Sequence, residues 1–292
     1  MMSTYNRLSE VFSAAPILPF DDQSKLVIMS DCHRGDGSWI DNFSHNQNIY
    51  YAALRYYFDN GFTYIENGDG DELWKFKCLR DIDSIYVDIF RLLSRFHHDK
   101  RLHLIFGNHD IEKKDPAFVR ENMAEFCDSN AAAYEPLFEN ITVHEGLILK
   151  HMPSGHPLFV VHGHQGDPRD DRFWRAGTFF VRRFWRRMEL LGFKDITSAA
   201  KNNVKKKQVE RKLYDWAAKN NTILIAGHTH RPICSPDPKN LYFNDGSCVH
   251  PTSITGLELQ NSKITLVKWS VRTTEGMALK ITRQVIAAPR QL

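Results

Sequence analysis

Short apolar runs that end in polar clusters alternate with stretches of helical periodicity along this 292-residue chain. Lys25–Asp31 (KLVIMSD) reads as a buried strand. His45–Asn60 places Ile49, Ala52, Ala53 and Tyr56 on one helical face, and Gly61 is its stop signal. Thr63–Asp69 (TYIENGD) is a second strand. Ile82–Phe96 is a second helix, with Ile82, Ile85, Ile89, Leu92, Leu93 and Phe96 as its apolar face. Arg101–Phe106 (RLHLIF) is a third strand. This alternation predicts right-handed crossovers and a parallel sheet in the first half.

Beyond Asp115 a helix leads to two strands, Ile141–Lys150 and Pro157–His162. They flank Pro153-Ser154-Gly155, a turn signal that predicts a hairpin. Thr222–Ala226 (TILIA) is another strand. Leu241–Phe243, Ser253–Leu259 and Lys263–Val271 read as late antiparallel strands, with Asn261-Ser262 as a turn. No internal repeat or low-complexity linker interrupts the chain, so residues 1–292 are taken as a single domain. The segment after Thr273 carries no clear pattern.

Composition fits a globular α/β protein: 42% hydrophobic and 25% charged. No run approaches the ~20 apolar residues of a membrane span, and Met1–Gln23 lacks the features of a signal peptide. Cys32, Cys78, Cys127, Cys234 and Cys248 are odd in number and scattered. They predict free thiols, a cytoplasmic setting and no thiolate zinc site. The net charge of +3 hides an asymmetry. Asp171–Asp215 carries 13 basic and 5 acidic residues, a balance of +8, against −5 elsewhere.

The strand ends carry the candidate chemistry. The five of them read Asp31-Cys32-His33, Gly68-Asp69-Gly70-Asp71-Glu72, Gly107-Asn108-His109-Asp110, His162-Gly163-His164 and Gly227-His228-Thr229-His230. Ligands of open α/β sheets bind outside the carboxyl ends of strands. Five such clusters therefore converge on one rim, and six of the 14 histidines lie in four of them. Imidazole, carboxylate and amide donors without thiolate suit Mn²⁺, Fe or Zn²⁺. There are too many for one ion, so two cations ~3.5–4 Å apart, bridged by a carboxylate, are expected.

The order D-x-H, G-D-x-x-[DE], G-N-H-D, H-G-H, G-H-T-H over roughly Lys25 to Gly246 resembles the calcineurin-like metallophosphoesterase superfamily. That resemblance implies an α/β fold, a β-sandwich of two mixed sheets flanked by helices, in place of a plain doubly wound sheet. It also implies that Asp31, His33, Asp69 and His230 hold one metal. Asp69, Asn108, His162 and His228 hold the second, with Asp69 bridging. By the same resemblance, His109 matches the residue that in the family acts on the phosphoryl oxygens or leaving group. Its tautomer needs a partner, with Asp71, Glu72 and Asp110 as candidates and Glu72 favoured by the position of the family's second carboxylate. Arg34 and His164 are candidate substrate contacts. The implied activity is hydrolysis of a phosphodiester or pyrophosphate through a metal-bridging hydroxide, with two divalent ions, Mn²⁺ first and Fe or Zn²⁺ as alternatives. Rival readings are a protein or nucleotide phosphatase, or a non-catalytic interaction module on the same fold.

GDGDELW at Gly68–Trp74, GHTHRP at Gly227–Pro232 and a basic insertion of about fifty residues resemble the UDP-2,3-diacylglucosamine hydrolases. Those enzymes cleave a pyrophosphate in lipid A synthesis and carry a helical lid at this place. The chain departs from them at His109, where they typically have Arg, and at His164, where they have Asp. The insertion, about 165–220, has Phe173, Ala176, Phe180, Phe184, Met188 and Leu191 at helical spacing, flanked by arginines. It is read either as a helix pair packed on the core or as a lid. In the lid reading Arg182, Arg183, Arg186 and Arg187 contact phosphate. The implied partner is a phosphorylated small molecule, nucleotide-sugar or lipid-linked substrate. A basic amphipathic segment also allows peripheral contact with a membrane. The absence of a nucleic-acid motif argues against a nucleic-acid partner.

Overall fold

The computed structural model describes residues 3–76, 78–128, 133–167 and 203–292. The chain opens with α1 (Thr4–Ala14), β1 (Ile17–Phe20) and β2 (Leu26–Met29), then α2 (Gln47–Asp59) and β3 (Thr63–Asn67). Next come α3 (Leu79–Asp83), α4 (Val87–His98), β4 (Leu102–Ile105), α5 (Pro116–Asn122), β5 (Glu125–Asp128), β6 (Ala133–Pro136) and β7 (Val143–His144). A second group comprises β8 (Gly146–His151), β9 (Pro157–Val161), the helix Asn203–Asn220 (named α6 here), β10 (Ile223–Ala226) and β11 (Tyr242–Asn244). Four strands close the chain: β12 (Ser253–Gln260), β13 (Lys263–Thr273), β14 (Leu279–Val285) and β15 (Arg290–Gln291).

Two mixed sheets face each other, in the order β1-β8-β9-β10-β11 and β14-β13-β12-β2-β3-β4-β7, with β15 added to β13. The period-2 alternation of β2 shows why they stack. Leu26 and Ile28 join Ile65, Leu158, Val160, Ile225 and Leu257 between the sheets, while Val27 and Met29 pack outward with Tyr50, Leu54, Phe90 and Phe96 of α2 and α4. On the opposite face Leu8 and Val11 of α1 and Val209, Leu213 and Trp216 of α6 cover Phe159, Val161, Leu224 and Ala226. Each fully buried apolar side chain contributes about 1.5–3 kcal/mol, so every layer depends on its neighbours.

The expected first half stands: β2, β3 and β4 are parallel. The hairpin around Pro153-Ser154-Gly155 is β8–β9, and the Asn261-Ser262 turn joins β12 to β13 with both residues at positive φ. Several expectations are corrected. The helix read over Ile82–Phe96 is broken, because α3 ends at Asp83 and α4 starts at Val87. The strand read over Ile141–Lys150 divides at Glu145, its two halves entering different sheets. The antiparallel reading of Leu241–Phe243 does not hold, since β11 runs parallel to β10. The patternless tail forms β14 and β15 on β13.

The basic segment divides too. Its last part is α6, whose Trp216 is 1% exposed and whose Val209, Leu213 and Ala217 are buried. That part is core and not lid. Arg182, Arg183, Arg186 and Arg187 lie outside the described residues.

Candidate functional site

Register sets the site. Ile28 pairs with Ile65 and Ile65 with His103, so β2, β3 and β4 end level and deliver Asp31, Asp69 and Asn108 to one rim. In the facing sheet Leu224 pairs with Phe159, which brings the ends of β9 and β10, with His162 and His228, side by side. The chain turns sharply there. Asp31, His33, Asp69, His228 and His230 all have positive φ, between 48° and 63°. This is backbone strain of the kind that clusters at functional sites. Glycines permit the approach: a Cβ on Gly107 would lie 2.1 Å from Asp69 Oδ1, and one on Gly68, at φ +85°, 2.5 Å from His162 Nδ1.

Three groups of donor atoms lie within 4.8 Å of one another: Asp31 with His33 and His230, His33 with Asp69 and His109, and Asp69 with His162 and His228. His230 Nε2 is 2.9 Å from Asp31 Oδ1. His33 Nε2 is 3.6 Å from Asp31 Oδ1 and 3.8 Å from Asp69 Oδ2. His162 Nε2 is 3.2 Å from Asp69 Oδ2. Asn108 is buried immediately before His109, whose N–H donates to Asp69 Oδ1 at 2.7 Å.

The outward nitrogens are chosen by bonds on the other side of each ring. His33 Nδ1 donates to Glu72 Oε2 at 3.2 Å, and His162 Nδ1 to the Asn67 carbonyl at 2.8 Å, leaving both Nε2 atoms facing the carboxylates. Asp31 Oδ2 accepts the His228 N–H at 2.9 Å. The Ser30 hydroxyl lies 2.5 Å from the same oxygen and 2.6 Å from Asp245 Oδ1. Burial and the Asp31 charge push the Asp245 carboxyl well above its ordinary range. A protonated Asp245 can donate to Ser30, and Ser30 in turn to Asp31.

Burial by itself would raise Asp31 and Asp69, but His230 and His162 pull Asp31 well below the usual range, and His162 and His109 do the same for Asp69. Burial opposes the His162 imidazolium, yet Asp69 and Asp31 raise it to about 10. Burial and His162 lower His228 to about 3. The donor set fits divalent cations. Asn108 Oδ1, Asp31 Oδ1 and His162 Nε2 are buried without a hydrogen bond, although His230 Nε2 lies 2.9 Å from Asp31 Oδ1 and Asp69 Oδ2 3.2 Å from His162 Nε2. Carboxylate, imidazole and amide donors suit Mn²⁺, Fe or Zn²⁺.

His109 stands beside this cluster with its side chain 24% exposed. Its Nδ1 donates to Glu72 Oε1 at 2.7 Å, so Glu72 is the tautomer partner among the three candidates. Burial opposes the His109 imidazolium, but Glu72 and Asp69 raise its pKa. Two expected substrate contacts are corrected. Arg34 is 1% exposed and turned inward, with Nε donating to Asp71 at 2.7 Å and its terminal nitrogens to Glu66 at 2.7 and 2.8 Å. Its fork is matched to buried carboxylates, so it cannot face a phosphoryl group. His164 is 0% exposed, and burial, reinforced by the nearby His162, holds its pKa well below the ordinary value. Sequence reasoning missed Ser30, Asn67, Trp74 and Lys113. Asn67 adjoins the GDGDELW motif and Trp74 closes it. Lys113 carries no signal, because a lysine in a polar run reads as solvated.

The chain belongs to the calcineurin-like phosphoesterase superfamily, whose domain profile matches residues 25–262. With the carboxylate–imidazole clusters described above, this makes it a metallophosphoesterase-type protein. Among solved structures it is similar to vacuolar protein sorting 29 from Cryptosporidium parvum, at 14% identity and a TM-score of 0.39, over 90% of this chain and 98% of that one. Chaetomium thermophilum Vps29 matches at 11% identity and a TM-score of 0.43, over 92% and 97%. Entamoeba histolytica Vps29 complexed with Zn²⁺ matches at 15% and 0.35, over 89% and 98%. No curated protein matches the chain significantly. No helix among the described residues is long and apolar enough to cross a membrane.

Proposed function

We propose that this protein is a dinuclear-metal-dependent phosphoesterase that hydrolyses a phosphodiester or pyrophosphate bond. In this reading Asp31, His33, Asp69 and His230 hold one divalent cation, and Asp69, Asn108, His162 and His228 the other. The supporting observation is that the donor groups on either side of the site overlap at the Asp69 carboxylate. Two divalent cations would supply Lewis acidity toward the phosphoryl oxygens and a nucleophile at neutral pH.

The chain's own residues do the rest. Glu72 holds the proton of His109 at Nδ1, so Nε2 is the nitrogen that meets a phosphoryl or leaving-group oxygen. A proton on that nitrogen would stabilise negative charge developing on the substrate. His33 shares the Glu72 carboxylate, so the acid and one ligand are aligned by the same side chain.

The motifs GDGDELW and GHTHRP support a nucleotide-sugar or lipid-linked pyrophosphate as the substrate class. Scattered cysteines support the cytoplasm. Residues 1–292 form one domain with an insertion in this proposal, and Mn²⁺ is the first metal to test. Purified protein loaded with Mn²⁺ is assayed on phosphomonoesters, phosphodiesters and UDP-sugar pyrophosphates. Turnover abolished by chelator and restored by Mn²⁺ is expected. With His109→Ala, kcat should fall about 10²–10³-fold while metal content holds. No turnover by a metal-loaded protein on any ester would favour a non-catalytic binding module.

A further inference from the structure

We infer that Trp74 is a positioning residue for His109, completing a three-residue clamp on that imidazole; the inference rests on the phosphoesterase reading of the site. Three consecutive residues each hold a different part of His109. Glu72 takes Nδ1 at 2.7 Å. The Leu73 N–H donates to the His109 carbonyl at 3.0 Å. The Trp74 indole lies against the ring face, with centroids 4.3 Å apart and planes inclined by 19°. The His33 ring also meets His109, with centroids 4.6 Å apart and planes at 87°.

Each contact removes a different freedom. The Glu72 bond sets the tautomer but leaves the ring able to pivot about the Nδ1···Oε1 line. The Leu73 bond fixes the backbone and not the side chain. A flat surface packed on the ring face prevents the pivot, and the Trp74 indole provides it. Trp74 acts through His109, on which one face of its indole is packed. A misdirection of the order of 1 Å at a catalytic group can cost up to about 10²-fold in rate.

The test uses Trp74→Ala, Trp74→Phe, His109→Ala and the double variant Trp74→Ala/His109→Ala in the full chain. Turnover of bis(p-nitrophenyl) phosphate with Mn²⁺ is measured beside metal content. Trp74→Ala should lower kcat about tenfold with KM and bound metal unchanged, and Trp74→Phe should recover most of the loss. The double variant should be no slower than His109→Ala alone, because residues acting through one group are not additive. Independently of turnover, NMR of the His109 ring protons should show an upfield ring-current displacement that disappears in Trp74→Ala and partly persists in Trp74→Phe. Unchanged kcat in Trp74→Ala, a raised KM, additive losses in the double variant, or ring protons that do not move would each overturn the role. No turnover by the metal-loaded wild type would instead overturn the proposed function, and this role with it.

Discussion

The Asp110 carboxylate accepts the backbone N–H of Asp69 at 3.2 Å, so the residue after His109 anchors the chain at the carboxylate shared by two donor clusters. Asp110 also accepts Gly107 N–H at 2.7 Å and Gly70 N–H at 3.1 Å. Lys113 then joins Asp110 to Asp71, at 2.8 and 2.6 Å, and Arg34 joins Asp71 to Glu66. All of these side chains are buried. Lys113→Met should therefore remove the charge partner of Asp110 and one of the two of Asp71, and cost about 3–5 kcal/mol. Urea unfolding checks the loss, which should exceed that of any exposed lysine. Burial raises Asp71, but Arg34 and Lys113 outweigh it and lower it to about 2. The stability it contributes is present above about pH 4 and fades as pH falls toward 2.

Asp69→Asn should weaken both proposed cation sites together, since one carboxylate borders the His33 and the His162 groups. Asp31→Asn, which borders only the His33 and His230 side, should weaken one site more than the other. Elemental analysis after dialysis separates these outcomes. Loss of a single metal equivalent in Asp69→Asn would remove the bridging role.

Asp83 offers a pH test away from the metal ligands. It closes α3, is 0% exposed, and neither carboxylate oxygen has a hydrogen-bond partner. Burial, reinforced by the Asp71 charge and opposed by Arg80, raises it to about 7. The folded state thus keeps a proton that the unfolded chain releases near pH 4, and stability falls as pH rises from about 4 to about 7. Asp83→Asn should be more stable than wild type at pH 8, on the order of 2 kcal/mol, and nearly equal to it at pH 4. A gap of the same size at both pH values would contradict this origin.

The site was legible in the sequence because its donors sit within a few residues of strand ends, where apolar runs stop. Asp31, Asp69 and His162 needed only that local pattern and the rule that parallel strands end together. Arg34 misleads for a physical reason: a basic residue beside a ligand motif looks like a phosphate contact, and only the fold reveals Glu66 and Asp71 waiting beneath it. The parallel direction of β11 depends on a partner strand, β10, that no local pattern names. Trp74 lies inside the GDGDELW motif, but its role needs the distance to His109. The division of Ile141–Lys150 between two sheets turns on Glu145, which accepts from Arg7 of α1 and from Gln165 after β9. Contacts at such sequence separation leave no period behind.

If the basic insertion sets substrate choice, the packing of α6 decides where it can be cut to test this. Removing Asp171–Asp215 would excise Val209 and Leu213 from the core that α6 shares with Phe159 and Leu224, and stability would fall for that reason alone. The cut should stop before Asn203. Asp167 Oδ2 lies 2.9 Å from Lys205 Nζ, and Lys212 Nζ donates to the Gly166 carbonyl at 3.0 Å. The flanks are therefore close, and a Gly/Ser linker of about eight residues, spanning roughly 16 Å, can join residues 167 and 203. This deletion removes Arg182, Arg183, Arg186 and Arg187 together with the aromatic stripe and keeps α6 on the core. If the segment recognises substrate, turnover of bis(p-nitrophenyl) phosphate should stay within about threefold of wild type, while kcat/KM on a UDP-sugar pyrophosphate should fall about tenfold or more, the scale of one or two lost charged contacts. Circular dichroism and unfolding midpoints should match wild type. An equal fall on both substrates with a lowered midpoint would assign the segment to the fold instead.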